Sequence, residues 1–320
     1  MRDFVKIIAL AALLVVGHAA SLPAMAGDQK AVLITGASTG IGRNLAERLA
    51  EEGYFVYAGA RKDKDMAELD AIENVKAVRL DVTKQDQVDA AVELVRSEGR
   101  GLWGLVNNAG VGGGDAVLNT PIDEFNFIYA VNVEGVVRTT QAFAPLILES
   151  KGRISTTGSI AGILAGSGYG AYSGSKHYIE ALTDSLASEL EPLGVKVSVV
   201  EPGSYKSRIR RSAVARITKQ MEAAGAEITD EMQQRAKETA EREVTLDEPD
   251  AVTDAFMHAL FDDAPLRRYM VVPHEGQQDL TVRQAVKELV ELNAWGQYSF
   301  SRDELVAMVD EALAAQGASD

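Results

Sequence analysis

A chain of 320 residues with 46% hydrophobic content suits one large α/β domain with extensions, or at most two small domains, and supplies a sizeable core. A formal net charge of −15 argues against nucleic acid and an anionic membrane surface as partners. The absence of cysteine excludes disulfides, a thiol nucleophile and a zinc–thiolate site, and His18, His177, His258 and His274 show no ligand spacing, so no metal is expected.

Residues 1–26 differ from the rest. Arg2 and Lys6 precede the apolar run Ile7 to Val16, and Ala24, Met25 and Ala26 make a small-residue cleavage pattern, as in a secretory signal. Three readings of the compartment stay open: export after cleavage, a cytoplasmic protein that starts at Met25, or an uncleaved anchor, for which the run is short.

Ala31 to Thr35 is an apolar run that reads as a buried parallel strand, and an apolar helical pattern from Ile41 to Ala50 follows it. Gly36, Gly40 and Gly42 lie between them. Strand, glycine-rich turn and helix N-terminus together make a pyrophosphate site: backbone N–H groups and the helix dipole face the anion, and missing side chains allow close approach. A tight turn with close helix packing is the alternative. Tyr54 to Ala60 forms a second strand ending in Arg61, and Val75 to Leu80 a third ending in Asp81. Gln85 to Glu98 is helical by period, and Leu102 to Val106 is a fourth strand running into Asn107. Glu124 to Glu149 reads as one long helix containing Asn132, kinked or ended at Pro145. Gly152 to Thr157, Val195 to Val200 and Tyr269 to Val272 complete the strands, with a helix over Tyr172 to Leu190. Strands alternating with helices predict a Rossmann-like, doubly wound parallel sheet of seven strands covered by helices on both faces.

Two segments depart from the alternation. Ser204 to Glu248 is long, charged and helix-prone, with Lys206, Arg208, Arg210, Arg211, Arg216 and Lys219 in its first half. It is either a solvated helical face or a lid, since an excursion after the sixth strand sits at the carboxyl edge of the sheet where α/β ligands bind. The tail, Thr281 to Gln316, carries two amphipathic patterns joined near Trp295 to Ser301, with Ser301 and Glu304 spaced as a capping box. The expected organisation is a leader at 1–26, a domain at 27–276 with the insertion at 204–248, and a helical extension at 277–320 that packs on the domain or on a second subunit.

Tyr172 and Lys176 stand four residues apart in YSGSK, on one face of the helix, with Ser159 upstream. A tyrosine with a pKa of about 10 is a poor acid or base near neutrality. A neighbouring ammonium stabilises the phenolate and lowers that value, so the pair can transfer a proton; an ordinary amphipathic face would show the same spacing.

TGASTGIG at 35–42, NNAG at 107–110, Asn132, Ser159, YSGSK at 172–176 and PG at 202–203, in this order, resemble the short-chain dehydrogenase/reductase family over about residues 29–275. The resemblance implies Tyr172 as general acid/base and Lys176 as the group that depresses its pKa and holds the nicotinamide ribose. It implies Ser159 as the hydroxyl on the substrate oxygen and Asn132 as the holder of a relay water. Gly36, Ser38, Thr39, Gly40, Ile41 and Gly42 would cradle the cofactor diphosphate, and Asp81 and Val82 would flank the adenine. Asn108, Ala109, Gly110, Pro202, Gly203 and Ser207 would line the cofactor further along. Arg61 stands where an acidic residue would bind the ribose hydroxyls, and a guanidinium pairs well with a 2′-phosphate; NADP is therefore expected rather than NAD, although Thr39 lacks the second basic group of many NADP-preferring relatives. The implied activity interconverts a carbonyl and a secondary alcohol. GLWGLVNNAG and EPGSYKS look most like members acting on steroids, retinoids or other lipophilic alcohols, with Ile160, Ile163, Leu164 and Tyr169 as pocket candidates. A homo-oligomer is expected. A sugar-nucleotide epimerase or dehydratase, and an NADP-binding regulator without turnover, are the competing readings.

Overall fold

A computed structural model describes residues 29–223, 225 and 227–317; the signal-like leader and His18 lie outside them. The strands are β1 (Ala31–Ile34), β2 (Phe55–Ala60), β3 (Val75–Arg79), β4 (Gly104–Asn107), β5 (Arg153–Thr157), β6 (Lys196–Pro202) and β7 (Arg268–Val271). They form one parallel sheet in the order β3-β2-β1-β4-β5-β6-β7. The helices are α1 (Gly40–Glu51), α2 (Asp63–Asp70), α3 (Gln85–Ser97), α4 (Ile122–Tyr129), α5 (Gly135–Ser150), α6 (Gly170–Leu190), α7 (Ile209–Ala223), α8 (Asp230–Val244), α9 (Asp250–Phe261), α10 (Glu275–Asn293) and α11 (Arg302–Gly317).

Side chains alternate across a strand, so β1 feeds two cores. Val32 and Ile34 join Leu45 and Leu49 of α1 and Phe256 and Leu260 of α9. Ala31 and Leu33 face the other way, with Val88 and Val95 of α3, Phe143 and Ile147 of α5, and Ala187 of α6. Both faces are thus covered, which explains why the strands read as unbroken apolar runs. The chain moves outward from β1 to β3 and then returns to β4 on the other side of β1, opening a crevice at the carboxyl ends of these two strands. Ile34 lies opposite Val106 in the register, so the turns after β1 and β4 leave the sheet side by side.

The single helix expected over Glu124 to Glu149 is instead α4, a π turn at Ala130–Glu134 and α5. Pro145 neither ends nor interrupts α5, which continues to Ser150. Proline removes one backbone hydrogen bond, and the buried Phe143, Leu146 and Ile147 around it offset that loss by packing on the sheet. The charged excursion folds into α7 and α8, and its ends meet: Lys206 N donates to Asp247 O at 2.8 Å, and the Lys206 ammonium pairs with Glu248. In the tail, Ser301 N donates to Glu304 Oε2 at 2.8 Å while Glu304 N donates to Ser301 Oγ at 3.3 Å, a reciprocal cap that starts α11. The start of α10 docks on the domain through Gln277, whose Oε1 accepts from Ser204 N at 3.0 Å.

Candidate active site

The turn after β1 is shaped by what it touches. Gly36 has φ +68°, and a Cβ there would come within 2.8 Å of Ala109 Cα; one on Gly42 would lie 2.3 Å from Asn108 Nδ2. Glycine is required at both positions, because the NNAG turn closes against the first turn of α1. Asn108 fixes that contact: its Nδ2 donates to Thr35 O and Gly36 O at 3.0 and 3.1 Å, and its Oδ1 accepts from Thr157 Oγ1 at 3.2 Å. Thr35 Oγ1 accepts from the Asn108 and Ala109 amides. Thr39, the extended residue before α1, makes no side-chain cap, so the first N–H groups of that helix keep their capacity for an anion. A cavity of about 450 Å³ opens here, lined at the helix start by Ser38, Thr39, Gly40 and Ser207, with both basic residues (Arg43, Lys206, Arg208, Arg211) and carboxylates (Glu47, Glu68, Glu243, Glu248) around it. This cradle fits a dinucleotide diphosphate.

Arg61 follows β2 directly, with its side chain 61% exposed and its guanidinium 3.9 Å from Asp81 Oδ2. Asp81 accepts from Thr83 N and Oγ1 through Oδ1. A contact that long and exposed leaves Arg61 free to turn toward another anion. Val82, next in the chain, is buried against Gly135.

Ser159, Tyr172 and Lys176 converge where β5 and α6 meet. Ser159 follows β5 and caps a short turn by accepting from Ala161 N at 3.1 Å. Tyr172 and Lys176 lie on α6, with the ammonium 5.8 Å from the centre of the tyrosine ring and donating to Thr157 O at 2.7 Å. Burial brings the Lys176 pKa down to about 8, with the charge of Glu180 opposing it. Tyr172 shifts upward: desolvation raises its pKa, while a hydrogen bond with Ser159 and the charge of Arg210 pull it down. The direction is the reverse of that expected from the Tyr–Lys spacing, because desolvation of the hydroxyl outweighs the neighbouring charges. Asn132 sits in the π turn, with Oδ1 accepting from Val111 N at 2.9 Å and Nδ2 donating to Val111 O and Ser175 Oγ, both at 3.0 Å. It ties the NNAG loop to α6, beside Gly110 and Lys176. Pro202 O lies 3.5 Å from Ser159 Oγ, and Gly203 N donates to Val271 O. Ser207 packs directly over Gly40.

Two contributors lacked a local signal in the chain. Arg210 is one basic residue among many in the excursion, yet folding brings its charge to bear on Tyr172. Arg216 of α7 crosses the cleft to Glu124 of α4 (Nη2 to Oε1, 2.5 Å) and donates to Gly112 O at 2.8 Å. With side chains 18% and 6% exposed, this pair holds the excursion against the body of the domain. Arg216→Ala leaves the Glu124 carboxylate buried without its cation, a loss of about 1–3 kcal/mol after allowing for the partial exposure of the arginine. Limited proteolysis should then cut residues 209–223 faster than in the wild type.

A family model described as short chain dehydrogenase matches residues 30–218. The mitochondrial D-beta-hydroxybutyrate dehydrogenase of Bos taurus is 44% identical over 186 residues, 55% of this chain and 54% of the relative. The chain therefore matches about half the length of that relative. The 17-beta-hydroxysteroid dehydrogenase type 6 of Rattus norvegicus is 35% identical over 254 residues, 75% of this chain and 80% of the relative. Among solved structures, a short chain dehydrogenase/reductase from Burkholderia phymatum in complex with NAD superposes with a TM-score of 0.70 at 26% identity, over 86% of this chain and 98% of the neighbour.

Proposed function

Because the chain belongs to the short-chain dehydrogenase family, we propose that it is an NADP(H)-dependent oxidoreductase interconverting a carbonyl and a secondary alcohol. The observation that carries this reading is the convergence of Ser159, Tyr172 and Lys176 beside a glycine cradle at the crevice between β1 and β4. NADP(H), when bound, supplies or accepts the hydride. Tyr172 holds or takes the hydroxyl proton of the substrate, the Ser159 hydroxyl holds the same oxygen, and Lys176 stabilises the phenolate that forms. Gly36, Gly42 and the start of α1 would hold the diphosphate, and Arg61 the 2′-phosphate. The Burkholderia neighbour was solved with NAD; the arginine in place of an acidic residue at the end of β2 favours NADP here.

The rim supports a lipophilic substrate class. Ile160, Ile163, Leu164 and Ile209 are partly exposed and Tyr169 is 52% exposed, a lining that suits a lipophilic alcohol. Arg210 favours a second reading, a short hydroxy acid whose carboxylate meets the guanidinium, as the bovine relative's name suggests. Following nicotinamide absorbance with NADP and NAD, against a 17β-hydroxysteroid and D-β-hydroxybutyrate, tests both. No turnover with either cofactor across a wider panel of alcohols and carbonyls would sink the oxidoreductase reading. The exposed apolar faces of α10 and α11, including Val286, Leu289, Val309 and Leu313, support a homo-oligomer, which sedimentation velocity measures.

Arg210 also sets an expected pH dependence. Its positive charge lowers the Tyr172 pKa, and alcohol oxidation needs the phenolate. Arg210→Ala should therefore move the acidic limb of the oxidation profile to higher pH. A limb that stays in place would remove Arg210 from the electrostatics of the site.

A further inference from the structure

Beneath Lys176, on the side of the turn that carries Ser159, lie two carboxyl groups that the chemistry above does not use. Glu180 follows Lys176 by four residues on α6, and Glu201 lies on β6 immediately before Pro202. Glu201 is 2% exposed. The two side chains are within hydrogen-bonding reach of one another. Room for Glu180 comes from the glycines flanking Ser159: a Cβ on Gly158 would lie 3.2 Å from Glu180 Oε1, and one on Gly162 2.9 Å from it. Arg268 of β7 supports the pair, its Nε 3.1 Å from Glu180 Oε2 and 3.9 Å from Glu201 Oε1, and its Nη2 2.8 Å from Asp184 Oδ2. Glu180 Oε1 and Glu201 Oε1 are buried and accept no hydrogen bond from any donor among the described residues.

We propose that Glu180 and Glu201 share one proton, and that the single negative charge left on the pair, held mainly on Glu180, is the counter-charge that keeps Lys176 an ammonium in its buried position. Glu201 is buried and the Glu180 side chain is only 15% exposed, so two ionised carboxylates in contact here repel strongly, and one proton between them satisfies both orphaned oxygens. The charge stays on Glu180 because the Arg268 guanidinium lies closer to it, while burial and the charge of Glu180 push the Glu201 pKa upward. The groups facing the pair are Lys176 and Asp184 of α6 and Arg268 of β7. Lys176 has no carboxylate in direct ion-pair contact among the described residues, and its ammonium donates to the Thr157 carbonyl. Glu180 raises the Lys176 pKa against desolvation. Glu180 is thus a positioning residue that acts through Lys176. This inference rests on the proposed reaction, in which Lys176 must be charged.

The test is the pH profile of kcat/KM for whichever alcohol of the substrate panel turns over, measured for the wild type, Glu180→Gln, Glu201→Gln and the double variant. Removing a negative charge lowers the pKa of its neighbours, so Glu180→Gln should move the alkaline limb down by about one pH unit, and the double variant by at least as much. Glu201→Gln copies the protonated carboxyl and should shift the limb by less than about a third of that. A structural role would lower thermal stability and leave the limb in place; an unmoved limb in the folded double variant overturns the proposal. If Glu180→Gln fails to fold, infrared spectroscopy of the wild type decides: a protonated-carboxyl C=O band is expected at neutral pH and should vanish in Glu201→Gln, and a wild type without it also overturns the proposal. Tyr172→Phe serves as the control. A dead control with an unmoved double variant sinks only the acid pair, whereas an active control sinks the reaction on which it rests.

Discussion

Tyr172→Phe should turn over at least about 100-fold more slowly than the wild type while still binding NADP(H). The ring and its packing on α6 remain, but the transferable proton is gone, and general acid–base catalysis typically contributes 10²–10⁴-fold. The loss should fall on kcat in both directions, because in the proposed reaction the same hydroxyl gives and takes the proton. The Lys176 hydrogen bond to Thr157 O does not involve the Tyr172 hydroxyl, so the local fold should survive the substitution. Cofactor titration by fluorescence checks binding, and single-turnover absorbance checks the chemical step. Comparable rates in variant and wild type would remove Tyr172 from the reaction.

Arg61→Ala should weaken NADPH by roughly 1–3 kcal/mol, about 5- to 150-fold, and leave NADH nearly unchanged. The selectivity follows from charge: a 2′-phosphate needs a cation, and a hydroxyl at the same place does not. In the wild type the guanidinium is 3.9 Å from Asp81 and largely exposed, so little stability is lost with it and the effect should appear in binding alone. Parallel titrations of both cofactors against both proteins measure the difference. Equal losses for the two cofactors would reassign the arginine to bracing Asp81.

The seven strands and most of the helices covering them were legible because burial on both faces leaves continuous apolar runs, which differ visibly from the helical period of α1 and α3. The Tyr172 and Lys176 pair was legible for another reason: four residues on a helix fix a shared face, so spacing alone brings the groups together. The π turn around Asn132 was not, since one extra residue per turn is a compromise among Val111, Ser175 and the sheet that no local period records. Arg210 and Arg216, and the role proposed for Glu201, were illegible for a related reason. Each acts on a group from a different element, and only the fold decides which of many charges arrives there.

The meeting of Lys206 and Asp247 at the base of the excursion makes α7 and α8 a cassette. A segment whose ends already touch adds little to the closure entropy of the chain, since each doubling of loop length costs only about 0.6 kcal/mol more. The excursion can therefore be lengthened, shortened or exchanged with small consequence for the sheet, while the groups proposed to transfer the proton stay on the turn after β5 and on α6. Divergence in substrate choice among such chains can accumulate in the cassette, and grafting it between two of them is a direct route to new selectivity.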